Sequence, residues 1–283
     1  MNYRVILITG RVALITGETP IPAINHLQVL EGPSPAKNAD SWIFAPSVYN
    51  RNSMNPAHIA RLLEPFLGGQ QLTALQLSHI SMYIDILLRW NARINLTAIR
   101  DPEEIVVRHF GESLFAARHL FPSAASAFAG MKAPDVPPCP PVSSVVKVAD
   151  LGSGAGFPGL PIKLWAPYVS LTLIESNQKK ATFLREAVRA LTLTGVNIQN
   201  ARAETLPAGS YDLVTLRAVE QFATILPIAA SLVTNSGRLA LLIGAAQLAE
   251  LQKALPLYHI SAPDPIPSSS SRILVVARKA VPA

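Results

Sequence analysis

The sequence has 283 residues but only one cysteine, Cys139, which lies among prolines. A single cysteine cannot form a disulfide within the chain, and it cannot build a zinc site of the usual thiolate kind. The sequence also shows no Ser/His/Asp set and no Cys/His spacing typical of a metal site. These absences predict a cytoplasmic protein, from a reducing compartment, with no metal and no structural disulfide.

Long uninterrupted apolar runs are missing as well. Residues 1–17 are largely apolar, but Arg11 and two glycines interrupt them. No run approaches the roughly 20 residues that are needed to span a bilayer. The sequence therefore predicts neither a transmembrane helix nor a secretory signal, and we expect no membrane partner.

The sequence does contain apolar core material and a surplus of basic residues. Hydrophobic residues make up 49% of the chain, which excludes global disorder and allows one large domain with a smaller attachment. Lys and Arg number 24 against 18 for Asp and Glu, which gives a net charge of +6. A basic surplus favours a polyanionic partner such as nucleic acid, but many basic proteins bind none.

Residues 1–53 differ in pattern from the rest of the chain. They contain a heptad duplication, Arg4–Gly10 followed by Arg11–Gly17, and then a stretch rich in Pro, Asn and Ser. Two copies are too few for a repeat protein, and a glycine ends each short apolar run. We expect a poorly ordered extension, with Met54 as a natural translation start. The alternative is an added strand hairpin or an arm for a partner.

A helical region and a linker are expected next. Residues 54–121 carry apolar side chains at intervals of three and four, and Asp101 followed by Pro102 predicts the start of a further helix. The main apolar stripe comprises Leu72, Leu75, His79, Tyr83, Ile86, Leu87 and Trp90. Residues 122–144 have the Pro, Ala and Ser content of an exposed linker.

From residue 145 to residue 283, apolar runs typical of strands alternate with helical runs. Such alternation is typical of a parallel sheet covered by helices on both faces. No helical run separates residues 258–261 from residues 272–278, so at least one of these two strands should run antiparallel. We therefore predict an α/β fold: a doubly wound, mainly parallel, Rossmann-like sheet with an antiparallel C-terminal strand, plus a small helical N-terminal region.

A glycine-rich turn, Asp150–Gly159, follows the first predicted strand of this domain. Glycines there let the backbone turn sharply and approach a ligand. The next predicted strand ends at Glu175, where a carboxylate can accept hydrogen bonds from a ribose diol. The spacing fits S-adenosylmethionine (SAM), but it also satisfies the dinucleotide fingerprint, so an NAD-dependent oxidoreductase is the alternative.

Two features of the turn favour SAM over a dinucleotide. Asp150 is placed where its charge could reach the amino-acid end of SAM. Pro158 and Pro161 lack the N–H donors with which a helix N-terminus binds a pyrophosphate. We therefore predict a SAM site at this turn.

Several segments resemble, in order along the chain, the RsmG/GidB family of 16S rRNA (guanine-527-N7)-methyltransferases. They are Arg89–Thr97, Arg108–His109 with Glu112–Ser113, Asp150–Gly159, Glu175–Lys180, Ala201–Glu204 and Leu216–Ala218. The resemblance implies a class I methyltransferase with SAM as its cofactor. Its substrate would be N7 of a guanine in 16S rRNA of the small ribosomal subunit, and we expect it to act as a monomer.

The resemblance also implies the residues of the site. The cofactor-binding residues would be Gly152 and Phe157 at the glycine turn, Glu175 at the ribose, Ala203 and Glu204 at the adenine, and Arg217. Arg217 is also the one catalytic candidate, because it follows a strand at the carboxyl edge of the sheet, where open α/β folds bind ligands. His109 stays outside this set, since a lone histidine on a helix is more often a packed residue.

Guanine N7 already carries a lone pair, so the implied reaction needs alignment of its atoms rather than removal of a proton. Candidates for phosphate contacts are Arg93, Arg100, Lys179, Lys180, Arg185 and Arg189. Three positions depart from the family pattern: Ile243 replaces a usual Lys, Ile273 a usual His, and Glu112 a usual Asp. Because the lost lysine would remove a contact to RNA, a non-catalytic RNA-binding relative is a second alternative.

Overall fold

A computed structural model describes two short N-terminal strands and, beyond them, residues 54–122, 145–217 and 221–280. Strands β1 (Tyr3–Ile8) and β2 (Arg11–Thr16) pair antiparallel, so each copy of the heptad supplies one strand of a hairpin. The rest of the predicted extension, and the predicted linker from residue 123 onward, lie outside the described residues.

The N-terminal helical region consists of three helical segments. They are α1 (Pro56–Leu67), α2 (Ala74–Asn91), and a longer segment made of α3 (Pro102–Glu104), a π-helix (Ile105–Gly111) and α4 (Glu112–Leu120). Side chains of Asn55, Thr73 and Asp101 cap the three segments at their N-termini. The helix start predicted at Asp101 is confirmed, whereas nothing in the periodicity predicts the π-helix.

The predicted apolar stripe is buried in the second half of α2 and only partly buried at Leu72, His79 and Trp90. Tyr83, Ile86 and Leu87 are almost inaccessible to solvent. Leu75 is the exception, because it lies in the first turn of α2 and is 64% exposed. Its assignment to the buried stripe is therefore wrong.

The main sheet is built from eight of the described strands. They are β3 (Lys147–Leu151), β4 (Ser170–Ile174), β5 (Val196–Gln199), β6 (Tyr211–Arg217), β7 (Val233–Gly244), β8 (Tyr258–Ile260), β9 (Asp264–Pro265) and β10 (Arg272–Lys279). Their order is β5-β4-β3-β6-β7-β10-β8, with β9 paired to β10. Strands β3 to β7 are parallel, and β10 is antiparallel to its neighbours. The predicted mainly parallel sheet with an antiparallel C-terminal strand is confirmed.

Helices cover both faces of this sheet. They are α5 (Gly159–Trp165), α6 (Gln178–Ala190), α7 (Phe222–Leu232) and α8 (Leu248–Ala254). One apolar cluster joins α5 and α6 to the sheet, and a second cluster joins α7 and α8 to it. The fold is therefore doubly wound and Rossmann-like, as the continuous apolar strands predict. None of the described helices combines the length and the apolar character that a bilayer crossing requires.

The N-terminal helical region packs on the same face as α5 and α6. Tyr83 and Phe110 are fully buried in the apolar cluster that contains those two helices. The Gln76 amide also donates to the carbonyl oxygen of Leu164 in α5, at 2.8 Å. The helical region therefore belongs to the same compact unit as the sheet.

The strand order places a switch point beside β3. The chain passes from β3 to β4 on one side of β3, and it later returns to β6 on the other side. In open α/β sheets, ligands bind outside the carboxyl ends of the strands at such a point. Leu151 at the end of β3 is paired with Ile174 of β4 and with Leu216 of β6, so these three strand ends mark the site.

Candidate active site

The glycine turn that leaves β3 depends on backbone conformations that favour glycine. Gly152, Gly154 and Gly156 have φ values of 68°, 54° and 82°. A Cβ atom on Gly156 would collide with the Tyr83 hydroxyl and would lie 2.7 Å from Cδ1 of Leu160. The Tyr83 hydroxyl in turn donates to the carbonyl oxygen of Ala155, at 2.5 Å. The N-terminal helical region therefore braces the glycine turn directly.

The sequence interpretation places the charge of Asp150 within reach of a bound SAM, but in the structure this side chain points into the protein. Its carboxylate is buried, accepting hydrogen bonds from the Thr215 hydroxyl at 2.8 Å and from the backbone N–H of Gly159 at 3.2 Å. Burial raises the pKa of Asp150 to about 6, against the lowering effect of these hydrogen bonds. Asp150 therefore holds the start of α5 and leaves the amino-acid end of a cofactor to other groups.

A cleft of about 220 Å³ opens at the carboxyl ends of β3 and β4; we call it the glycine-turn cleft. It brings together four of the predicted cofactor residues, namely Gly152, Glu175, Ala203 and Glu204. Its apolar lining comes from Leu151, Ile174, Ile225 and Ile228. The last two belong to α7, and sequence reasoning missed them because an apolar helix residue is usually assigned to the core.

Glu175 follows the last residue of β4 and is the most buried acid of the cleft. One carboxylate oxygen accepts from the backbone N–H of Gly154 at 2.9 Å, and the other accepts from that of Asn177 at 2.8 Å. Each carboxylate oxygen has a second lone pair, so a ribose hydroxyl can still donate to it. Glu175 therefore links the glycine turn to the sugar position.

Phe157 lies outside the lining of the glycine-turn cleft. Its ring stacks on Tyr83 with centroids 5.4 Å apart and on His109 with centroids 4.8 Å apart. It also meets Phe110 edge to face. In this structure Phe157 fixes the glycine turn against the helical region, and a contact with the cofactor stays a prediction.

Arg217 is likewise absent from the cleft lining, because it lies on the other side of β3. Its guanidinium donates to the Glu112 carboxylate at 3.0 Å and to the carbonyl oxygen of Arg108 at 2.6 Å. A third donor is 3.0 Å from Nδ1 of His109. We call the carboxyl ends of β6 and β7, together with the first residue of β10, the Arg217 edge. The catalytic and cofactor roles predicted for Arg217 stay predictions.

His109, which the sequence interpretation treats as a packed residue outside the site, is buried. An arginine can only donate, so Nδ1 of His109 must accept from Arg217, which places the ring proton on Nε2. Nε2 then donates to the Thr97 hydroxyl at 2.7 Å. Burial, with the nearby Arg217 and Arg108 charges, lowers the pKa of His109 to about 3, so the ring is neutral near pH 7.

Two departures from the family pattern prove to be neighbours. Ile243 and Ile273 are directly paired across β7 and β10, and both side chains are buried in the cluster with α7 and α8. Two charged or polar side chains that are buried this deeply would need hydrogen-bond partners, whereas two isoleucines need only apolar contacts. The two replacements therefore form one apolar contact near the Arg217 edge.

The predicted phosphate contacts lie mostly on the surface. Arg93, Arg100, Lys179, Arg185 and Arg189 are exposed, and Lys180 is partly buried. Exposed basic side chains are available to a polyanion, but they are equally typical of a solvated helix face. Their contact with RNA stays a prediction.

Comparison with known proteins gives a family match and close relatives. The family model described as rRNA small subunit methyltransferase G (GidB) matches residues 76–128 and 139–265. Ribosomal RNA small subunit methyltransferase G of Xylella fastidiosa (strain 9a5c) is 35% identical over 234 residues, which are 81% of this chain and 99% of that protein. The protein of the same name from Stenotrophomonas maltophilia (strain K279a) is 39% identical over 183 residues, 64% of this chain and 76% of that protein.

Among solved structures, ribosomal protein L11 methylase from Lactobacillus delbrueckii subsp. bulgaricus is similar with a TM-score of 0.45 and 14% sequence identity. The similarity covers 62% of this chain and 80% of that chain.

Proposed function

Because the chain belongs to the rRNA small subunit methyltransferase G family, we propose that it transfers the methyl group of SAM to N7 of a guanine in 16S rRNA. The single observation that carries this proposal is the glycine-turn cleft, where Gly152, Glu175 and Glu204 line one space at the carboxyl edge of the sheet. The net charge of +6 suits a polyanionic substrate.

The glycine-turn cleft suits the parts of SAM. Ile225 and Ile228 offer an apolar wall for a flat adenine, and Glu204 lines the same cleft. Glu175 offers carboxylate oxygens to the ribose diol. The positive φ values of Gly152 and Gly154 let the backbone approach the ligand without a Cβ atom in the way.

The same geometry argues against the NAD alternative. A dinucleotide pyrophosphate would bind the free N–H groups at the start of α5. The N–H of Gly159, the first of these groups, is already bound by the buried Asp150 carboxylate, and Pro161 has no N–H. A carboxylate beneath the helix start would also repel a pyrophosphate.

In the proposed reaction, the main task of the protein is to align the reacting atoms. SAM, when bound, supplies a methyl group on a positively charged sulfur. The residues around the switch point would hold the guanine so that N7, the methyl carbon and the sulfur lie in line. Because N7 carries a free lone pair, no side chain has to remove a proton, which agrees with a buried and neutral His109. The guanine would enter at the Arg217 edge, across β3 from the glycine-turn cleft.

The test supplies purified protein with labelled SAM and small ribosomal subunits from a strain that lacks the modification. We expect transfer of methyl groups that map to N7-methylguanine at one position of 16S rRNA. Gly154→Asp should reduce transfer to background, because it puts a second carboxylate beside Glu175 at a backbone conformation that favours glycine. Glu250→Ala removes an exposed acid of α8 and should keep the rate within about twofold.

Two results would contradict the proposal. Transfer by the parent protein that is no faster than transfer by Gly154→Asp would favour the non-catalytic RNA-binding relative. Transfer to a base atom other than guanine N7 would leave a methyltransferase with a different substrate.

A further inference from the structure

Glu112 is a buried carboxylate surrounded by arginines. Its side chain is 3% exposed and lies at the first position of α4. One oxygen is 3.0 Å from Nη2 of Arg217 and 3.0 Å from Nε of Arg272. The other oxygen is 3.8 Å from Nε of Arg108. A single negative charge therefore holds three guanidinium groups together.

The three arginines come from different parts of the chain. Arg108 belongs to the π-helix, Arg217 ends β6, and Arg272 begins β10 opposite Gly244 at the end of β7. Glu112 therefore ties the helical region to the Arg217 edge on the substrate side of the switch point. The glycine-turn cleft lies on the other side of β3, and Glu112 is not in its lining.

Removing the charge of Glu112 would release this arrangement. Arg217 is 7% exposed and Arg272 is 20% exposed, so a buried and a partly buried cation would be left to repel each other. Burial lowers the pKa of Arg217 and the Glu112 charge opposes that change, which agrees with a cation that depends on its partner. The repulsion between the two guanidiniums would be reduced most easily if these side chains moved toward solvent.

The cluster also carries a positive surplus. Its three arginines face Glu112 and the exposed Glu104, which is 3.3 Å from Arg108. Of these five side chains, three are positive and two are negative. His109 adds no charge because it is neutral near pH 7. The surplus suits a polyanionic substrate that approaches the Arg217 edge.

We propose that Glu112 is a positioning residue that holds Arg217 and Arg272 at the Arg217 edge and thereby sets the use of the RNA substrate, without contact with SAM. This inference rests on the proposed function. It assigns to the N-terminal helical region a role in substrate use that neither the glycine turn nor the cleft residues provide.

The test compares Glu112→Gln, Glu112→Asp and Glu104→Gln in the full chain. For each protein, titration calorimetry gives the SAM affinity, and methyl transfer to small ribosomal subunits gives kcat and KM. Glu112→Gln should lower kcat/KM for the subunits at least about tenfold. Any loss of SAM affinity should be clearly smaller, because Arg217 is only one of the six residues predicted to bind the cofactor. Glu112→Asp keeps the charge and should recover most of the loss. Glu104→Gln breaks only an exposed pair on the same helical segment and should change both quantities by about twofold or less.

The outcomes separate this inference from the proposed function. If the parent protein neither binds SAM nor methylates the subunits, the proposed function fails. If the parent protein is active and Glu112→Gln keeps its kcat/KM, or loses SAM affinity as much as kcat/KM, the positioning role of Glu112 is overturned. If Glu112→Gln does not fold by circular dichroism, Arg272→Gln provides the decision, because it leaves the Glu112–Arg217 pair in place. A lower kcat/KM with unchanged SAM affinity then supports the role, and any other result overturns it.

Discussion

The two halves of the site are built in different ways. In the glycine-turn cleft, Gly152 and Glu175 each follow directly after the end of a strand. At the Arg217 edge, Arg217 meets Glu112 from 105 positions earlier in the chain, and Arg272 joins them from β10, two strands away in the sheet. The cleft is therefore encoded in short segments, whereas the edge depends on how the helical region docks on the sheet.

The largest effect is expected at Gly156, where the helical region packs against the glycine turn. Gly156→Ala would place a Cβ atom against Tyr83 and Leu160 at a φ of 82°, so overlap and backbone strain act together. We expect the free energy of unfolding to fall by about 3 kcal/mol or more in urea denaturation. Gly209→Ala is the matched control, because Gly209 has a φ of 61° with open space around it, and it should cost about 1 kcal/mol. Equal losses would contradict the bracing of the turn by the helical region.

Glu175→Gln tests whether the glycine-turn cleft binds SAM and not the RNA substrate. It removes the charge that accepts from the Gly154 N–H and, in the proposed complex, from the ribose. We expect the SAM affinity to fall about 10- to 100-fold in titration calorimetry, with the KM for the small subunit nearly unchanged. Glu250→Gln, at an exposed position of α8, serves as the control. If the KM for the subunit changes and the SAM affinity does not, then the glycine-turn cleft binds the RNA substrate and not SAM.

The pH dependence of stability reports on the Arg217 edge. The pKa of His109 is lowered to about 3, mainly by burial, whereas an unfolded histidine has a pKa of about 6.5. Below pH 6.5 the unfolded chain therefore binds a proton that the folded chain does not, and stability is lost as the pH falls. Between pH 7 and pH 5, the parent protein should lose about 2 kcal/mol more stability than His109→Gln in urea denaturation. Parallel pH curves for the two proteins would show that this histidine is not kept neutral.

The smallest effect is expected at the Tyr83 hydroxyl. Tyr83→Phe leaves the ring packing in place but removes the donor to the Ala155 carbonyl. We expect a loss of about 1 kcal/mol in the free energy of unfolding and a SAM affinity that is a few-fold weaker. Tyr168→Phe, at a side chain that is 61% exposed, should change neither quantity. An unchanged SAM affinity in Tyr83→Phe would show that the brace affects stability alone.

Most of the fold could be predicted because its signals are local. Continuous apolar strands, the helix start at Asp101 and the glycine turn each lie within about ten residues, so periodicity and capping rules suffice to find them. The helix-free connection before β10 likewise predicts its antiparallel direction. The π-helix could not be found in this way, because its positions have an ordinary helical pattern.

The site was only partly predictable for a related reason. Glu175 and the pair Ala203–Glu204 follow strand ends, so their place at the carboxyl edge follows from the topology. The partners of Arg217, the contact between Ile243 and Ile273, and the inward direction of Asp150 all depend on distant segments meeting. No spacing rule along the chain contains that information.

The most direct test of the account is a crystal structure of the protein grown with SAM. The account predicts adenine against Ile225 and Ile228, and ribose hydroxyls within about 3.2 Å of the Glu175 carboxylate. It also predicts that the methyl group points across β3 toward the Arg217 edge. A ligand bound elsewhere, or a ribose that leaves Glu175 for solvent, would contradict it.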